Sequence, residues 1–281
     1  MKSFVLITGA SSGIGLDSAR LLIEQGYRVI GTVRREEDGV RARAILGEAF
    51  LPLRLDVSDS AGLPQAVRQV EQWVGADGLA ALVNNAGIAS PSGPLMLQPL
   101  EEIRGMFEVN LFGLLAVTQA FLPLLGARQD STRPGRVINI GSVSGRVATP
   151  LTGCYAATKH ALEAVSDALR VELGIYGIAV VVIEPGPICT PIWSKAQPDT
   201  RYVDSDYAGA MQALFGLLAH NGAKGAPVAT VSRAVLKAID APRPKPRYPL
   251  NPMWYLAALL PTRLLDRLLA KRMALLRRPA R

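Results

Sequence analysis

Short apolar runs recur along the chain, alternating with longer stretches in which apolar positions return every three or four residues. The short runs fall at 4–8, 27–33, 51–57, 80–84, 136–142 and 178–184. They are rich in Val and Ile and nearly continuous, as strands covered on both faces are. The helical periodicity occupies about 13–25, 60–75, 101–126, 155–175 and 228–240. Strand and helix in strict alternation predict βαβ units, hence an α/β fold built on a doubly wound parallel sheet. Two stretches interrupt the alternation. Residues 127–135 read as a polar surface loop. Residues 187–226 make a connection long enough to be a lid or binding loop. The chain therefore divides into a domain at 1–250, with its lid at about 187–226, and a tail at 251–281.

Composition changes this picture little, and charge changes it once located. The 281 residues suit one large domain, and 49% hydrophobic with 19% charged is globular usage. The net charge of +8 is a tail property: residues 243–281 hold ten Lys and Arg against Asp266, leaving −1 for residues 1–242. General nucleic-acid binding by the body is excluded on that ground. Two cysteines, Cys154 and Cys189, have no paired spacing, so neither a disulfide framework nor a zinc or other metal site is expected. The usage fits a reducing, cytoplasmic setting. Met1 and Lys2 lead straight into the first strand without an apolar signal region, and no run reaches the length of a membrane span.

The first strand runs into "TGASSGIG", Thr8 to Gly15, and then into a helix. Strand, glycine turn and helix start are the context of a dinucleotide site. Gly9 permits the tight turn, Gly13 lets backbone approach a pyrophosphate, and Gly15 allows close helix–strand packing. Ser11, Ser12 and Ile14 complete the turn, whose free N–H groups face an anion. The second strand ends "GTVRREED". Val33 stands where an NAD-using fold places an acid, and Arg34 and Arg35 follow, with Glu36, Glu37 and Asp38 close behind. An arginine grips a 2′-phosphate that a carboxylate would repel. NADP(H) is expected over NAD(H), with Arg34 the main contact and Arg35 the second.

Residues 153–162, "GCYAATKHAL", set Tyr155 one helical turn before Lys159, on one face. With "LDV" (Asp56), "NNAG" (84–87), "VN" (Asn110), Ser142 thirteen residues before Tyr155, and "PGPICT" (185–190), the sequence resembles a short-chain dehydrogenase/reductase from about residue 3 to 190. The resemblance implies a Rossmann-like fold and an oxidoreductase. It also implies roles. Asp56 and Val57 contact adenine; Asn84, Ala86 and Gly87 lie along the cofactor; Pro185, Gly186, Ile188 and Thr190 hold its nicotinamide end. Tyr155 gives or takes the proton, Lys159 holds the nicotinamide ribose, Ser142 donates to the substrate oxygen, and Asn110 keeps a water that passes protons to solvent. A free phenol titrates near 10; Lys159 beside it, and the oxidised nicotinamide, favour phenolate and lower that value. His160 points elsewhere on the helix, and Cys154 and Cys189 have no activating partner.

Val147, Leu151 and Trp193, with Ser142 and Tyr155, are the expected substrate contacts, and an apolar pocket suits a hydrophobic carbonyl or alcohol, retinoid-, steroid- or aromatic-ketone-like. The tail resembles, more loosely, those of the retinol and hydroxysteroid dehydrogenase branches. Leu264, Leu265, Leu268, Leu269 and Leu275 alternate there with Arg263, Arg267, Lys271 and Arg272. Such a basic amphipathic helix suits peripheral contact with an anionic membrane, or packing over the substrate site or a partner subunit. The resemblance also implies a homodimer or homotetramer through the helices at 101–126 and 155–175. The competing readings are an NAD-dependent alcohol dehydrogenase of the same family and a non-catalytic cofactor-binding regulator.

Overall fold

Val5, Leu6 and Ile7 have no exposed surface because their strand is central in the sheet and helices cover both faces. The structure, a computed structural model, describes residues 3–193 and 199–276. Seven parallel strands form one sheet: β1 (Phe4–Ile7), β2 (Arg28–Val33), β3 (Phe50–Arg54), β4 (Leu79–Asn84), β5 (Arg136–Ile140), β6 (Ala179–Glu184) and β7 (Arg247–Pro249). Their order is β3-β2-β1-β4-β5-β6-β7, so the winding reverses between β1 and β4. In such sheets ligands bind outside the carboxyl ends of the strands at that reversal.

One face is covered by α1 (Gly13–Glu24), α2 (Glu36–Leu46) and α8 (Ala229–Asp240), packed on a core that includes Val29, Ile138, Val181 and Val235. The other carries α3 (Leu63–Val74), α4 (Leu100–Phe107), α5 (Gly113–Phe121) and α6 (Gly153–Glu172). On that side the core includes Leu82, Phe121, Leu125 and Val137.

All six strands expected from the sequence are present, with ends that differ by one to three residues and with β3 and β4 starting one residue earlier. Four differences have physical causes. The helix expected across 101–126 is broken by a π-turn, Glu108–Phe112, that joins α4 to α5; the insertion keeps apolar periodicity and so leaves no mark in the pattern. Helix α2 was not foreseen because it buries only Gly39 and Ala42 and has no apolar stripe. The lid contains a helix, α7 (Ala208–Lys224), and is pinned at its base by a parallel bridge between Ile188 and Ala226. Strand β7, three residues long, adds to the sheet from beyond the lid.

The tail forms α9 (Met253–Leu259) and α10 (Thr262–Arg272), with its last five residues, and 194–198 of the lid, outside the described residues. Beyond α10 the chain returns to the body. Met273 is fully buried in a small cluster with Leu151, Tyr202, Met211 and Leu214, against which Leu275 also packs. Of the positions expected for the tail (a membrane, the substrate site or a partner subunit), its end packs on the body beside the lid, while Leu264 and Leu268 of α10 remain exposed. Among the described residues no helix is long and apolar enough to cross a membrane.

Candidate active site

Thr8 follows β1, and its hydroxyl organises the turn behind it. Oγ1 accepts the amides of Asn85 and Ala86 at 2.9 and 3.0 Å. The Asn85 side chain donates in turn to the carbonyls of Thr8 and Gly9 at 2.8 and 3.0 Å, and the Gly9 amide donates to Thr32 Oγ1 at 3.0 Å. Gly9 (φ +67) and Gly13 (φ +54) take the left-handed conformation that a side chain disfavours. A β-carbon on Gly15 would stand 2.3 Å from the Gly9 carbonyl oxygen. Ser12 caps α1 without a side-chain bond, and the first turn holds no acid, so its amides stay open to an anion. Ser11 and Ile14 are partly buried beside it.

Where β2 ends, Val33 is buried and Arg34 and Arg35 are exposed. They line a groove with Arg41, Arg54, Glu36, Glu37 and Val40. Arg54 arrives there because β3 pairs it in register with Val33. Arg41 is tied to Asp38 of its own helix. Among the described residues, neither Arg34 nor Arg35 has a carboxylate partner. Four guanidinium groups against two carboxylates, a few residues from an uncapped helix start, fit the phosphates of NADP(H). Asp56 accepts the amide and hydroxyl of Ser58 at 3.0 and 2.7 Å, fixing the turn that carries buried Val57.

Across the reversal lie the residues expected to handle the proton. Ser142, in extended backbone after β5, caps the short turn Val143–Gly145, accepting the Ser144 amide at 3.1 Å. Its hydroxyl stands beside the Tyr155 phenol and favours the charged form of that group. Tyr155 and Lys159 share a face of α6; the buried Lys159 ammonium lies 5.8 Å from the Tyr155 ring centre and donates to the Ile140 carbonyl at 2.8 Å. Burial pushes the phenol above its ordinary value, and the Ser142 hydroxyl only partly opposes it. The expected lowering by Lys159 is not seen: burial governs both groups and brings the lysine down to about 8.

The π-turn aims Asn110 between two segments. Its carboxamide accepts the Ile88 amide and donates to the Ile88 carbonyl, both at 2.8 Å, and donates to Thr158 Oγ1 at 3.1 Å. It therefore ties the irregular segment that follows "NNAG" to the helix of Tyr155. Asn84 is placed differently from Ala86 and Gly87. Its side chain enters a buried ladder, donating to Thr118 and Asn139 at 2.9 Å, while the neighbouring Asn85, which the sequence reading passed over, faces the glycine turn. Pro185 accepts the Val143 amide at 2.8 Å, Ile188 is buried, and the Thr190 side chain lies within 3.5 Å of where a Gly13 β-carbon would stand. Gly186 is covered by Asn251 of the tail.

The expected substrate contacts are mostly packing residues. Val147 is buried, and Leu151, held at φ +67 with its carbonyl accepting the Gly93 amide, is buried in the lid cluster. Trp193 donates to the Ile188 carbonyl at 2.5 Å and packs against Gly222 of α7. An apolar lip that was not foreseen, Leu95, Met96, Leu97 and Leu100, stands exposed beside the site. Leu95 leans on Gly153, two residues before Tyr155. The signal was present in "GPLMLQPL", whose apolar residues lie in a loop and at the first position of α4. His160 is exposed and bonds the Ala156 carbonyl, Cys154 is buried and raised by that burial, and Cys189 is exposed.

The arrangement has known counterparts. A family model described as short chain dehydrogenase matches residues 3–201. The chain is 40% identical over 273 residues to an NADPH-dependent 3-dehydrocapnine reductase of Ornithobacterium rhinotracheale, covering 95% of this chain and 96% of that one. It is 32% identical to human retinol dehydrogenase 5, covering 95% and 88%. A crystal structure of a short-chain dehydrogenase from Streptomyces avermitilis superposes with a TM-score of 0.76 at 28% identity, covering 96% and 95%.

Proposed function

The chain belongs to the short-chain dehydrogenase/reductase family, and from that membership we propose that it transfers hydride between NADP(H) and an apolar carbonyl or secondary alcohol. The observation that carries the reading is the convergence of Ser142, Tyr155 and Lys159 at the carboxyl ends of β5 and α6's first turns, facing the glycine turn across the sheet reversal. NADP(H) is preferred to NAD(H) because Arg34, Arg35 and Arg54 face solvent at the end of β2 where an acid would serve NAD. The 40% identical relative is by name NADPH-dependent, which supports the same choice.

When bound, the nicotinamide supplies or accepts the hydride. The chain's own residues handle the proton. Tyr155, protonated at neutral pH, donates its hydroxyl proton to the substrate oxygen in reduction and takes it back in oxidation. Ser142 donates a hydrogen bond to that oxygen as charge develops on it. Lys159, largely ammonium below pH 8, places positive charge beside the phenol and binds ribose hydroxyls. Asn110 holds the Ile88 segment and orders water for proton return. Reduction is the proposed direction, in keeping with a relative named as an NADPH-dependent reductase, and an apolar carbonyl the substrate class, in keeping with the exposed lip at Leu95–Leu97.

Two further parts of the reading concern surfaces. Phe112, Val171 and Ile175, 51%, 76% and 67% exposed on or just beyond the helices of one face, suit a homodimer or homotetramer joined there. The exposed leucines of α9 and α10 among Arg263, Arg267, Lys271 and Arg272 suit peripheral contact with an anionic membrane.

The test is NADPH and NADH oxidation with a panel of retinoid, steroid, aromatic and 3-oxo lipid carbonyls, for the natural chain and Tyr155→Phe. Turnover with NADPH, falling about 10²–10⁴-fold in the variant, is expected, which is roughly 3–5 kcal/mol of barrier. NADPH binding without turnover on any carbonyl would favour a regulator; preference for NADH would overturn the cofactor assignment.

A further inference from the structure

Arg247, on the edge strand β7, turns its guanidinium into the molecule. Nη1 donates to Glu163 and, at 3.0 Å, to Glu184 Oε1; Nη2 donates to both oxygens of Asp167 at 2.7 Å. Three carboxylates from two elements thus meet one fork, and Arg170 joins Asp167 at 2.7 Å. Glu184 is fully buried and Glu163 nearly so. Among the described residues, Glu163 Oε1 and Glu184 Oε2 have no hydrogen-bond partner. Burial, with Asp167 nearby, pushes Glu184 up to about 8, so at neutral pH it holds a proton.

The cluster lies directly behind the reacting groups. Glu163 follows Lys159 by one turn of α6, and its side chain fills the space over two glycines. A β-carbon at Gly141 would stand 2.9 Å from Glu163 Oε1, and one at Gly145 2.9 Å from its Cγ. These glycines bracket Ser142. Glu184 ends β6 immediately before Pro185, whose carbonyl takes the Val143 amide, and its own carbonyl takes the Leu250 amide at 3.0 Å. Asn251, four residues past Arg247, covers Gly186. A single guanidinium is therefore one side chain removed from the Ser142 turn, the Lys159 helix and the loop that begins at Pro185.

We propose that Arg247 is a positioning residue for the reaction: acting through Glu163 and Glu184, it fixes the Ser142 turn, the Tyr155–Lys159 helix and the Pro185–Gly186 loop relative to one another. The proposal rests on the reading of the site given above. Misplacing a reacting group by about 1 Å costs up to about 100-fold in rate, and a fork shared by three carboxylates is a stiff way to prevent it.

Steady-state kinetics, NADPH binding and amide hydrogen exchange on the full chain test it, for the natural protein, Arg247→Met, Arg247→Lys and Glu163→Gln. Arg247→Met is expected to lower kcat about 10- to 100-fold, with a smaller effect on the NADPH Kd, which also draws on the glycine turn and Arg34. Amides of 141–147 and 185–190 are expected to exchange about tenfold faster, with β1 and β4 unchanged. Arg247→Lys keeps the charge without the fork and recovers only part of the rate. Unaltered kcat, or exchange that rises evenly across the whole sheet, would overturn the proposal. Should Arg247→Met fail to fold, Arg247→Lys and Glu163→Gln decide by the same readouts. Should the natural protein reduce no carbonyl, the proposed function falls alone, and local exchange still decides for or against Arg247.

Discussion

Burial moves Lys159 and Tyr155 in opposite directions, the amine down to about 8 and the phenol up. Between about pH 6 and 8 the lysine is mostly charged and the tyrosine keeps its proton, the state that reduction needs. As pH rises through 8 the ammonium is lost, so kcat/KM for NADPH-driven reduction is expected to fall there. A pH profile of the natural chain checks this; Lys159→Met is expected to be slow and to lack that limb. Arg34 supports a separate expectation. Arg34→Ala should weaken NADPH about 10- to 100-fold, as loss of a hydrogen bond to a charged group costs roughly 1.5–3 kcal/mol, and leave NADH within about threefold. Equal losses for both would place Arg34 outside the phosphate site. The residues named in these tests were legible because they sit in short motifs with fixed spacing. Arg54 and Arg41 were not, since strand register and a helix without an apolar stripe bring them to Arg34. Nor was the pairing of Glu163 with Arg247, 84 positions apart, which no local pattern encodes.

Strands with runs such as Val-Val-Val-Ile declare themselves, whereas α7 hides in a segment whose glycines and alanines read as a loop. Its stability comes from contacts rather than propensity. Leu151 supplies part of them from a strained left-handed backbone, and Met273 supplies another part from beyond α10. Such a satellite cluster opens more easily than the sheet. Met273→Ala should cost about 2–4 kcal/mol of local stability. Hydrogen exchange in 208–224 should accelerate while β1, β4 and β5 stay protected, and KM for bulky ketones should rise more than kcat falls. An exchange pattern identical to the natural chain would mean that the lid closes without the tail. The break in the helix at 108–112 belongs with these unread features, and it alone gives Asn110 its reach to both Ile88 and Thr158.

The molecule separates its charge, with −1 on residues 1–242 and +9 on residues 243–281. Sedimentation with vesicles tests what that tail meets. Binding to phosphatidylserine-containing vesicles, weakening with salt, is expected, with little to phosphatidylcholine alone. It should be lost in the full-length double variant Leu264→Asp, Leu268→Asp, whose positions are 44% and 50% exposed. Binding that survives the double variant would assign those leucines to a protein contact. The sheet order has a consequence in time as well. The edge strand carrying Arg247 is made 63 positions after Glu184, about 3–13 s later at ordinary rates of synthesis. Through that interval the first six strands can pair while Glu163, Asp167 and Glu184 await their cation. A growing chain therefore receives last the one guanidinium that joins the Ser142 turn, the Tyr155–Lys159 helix and the Pro185 loop.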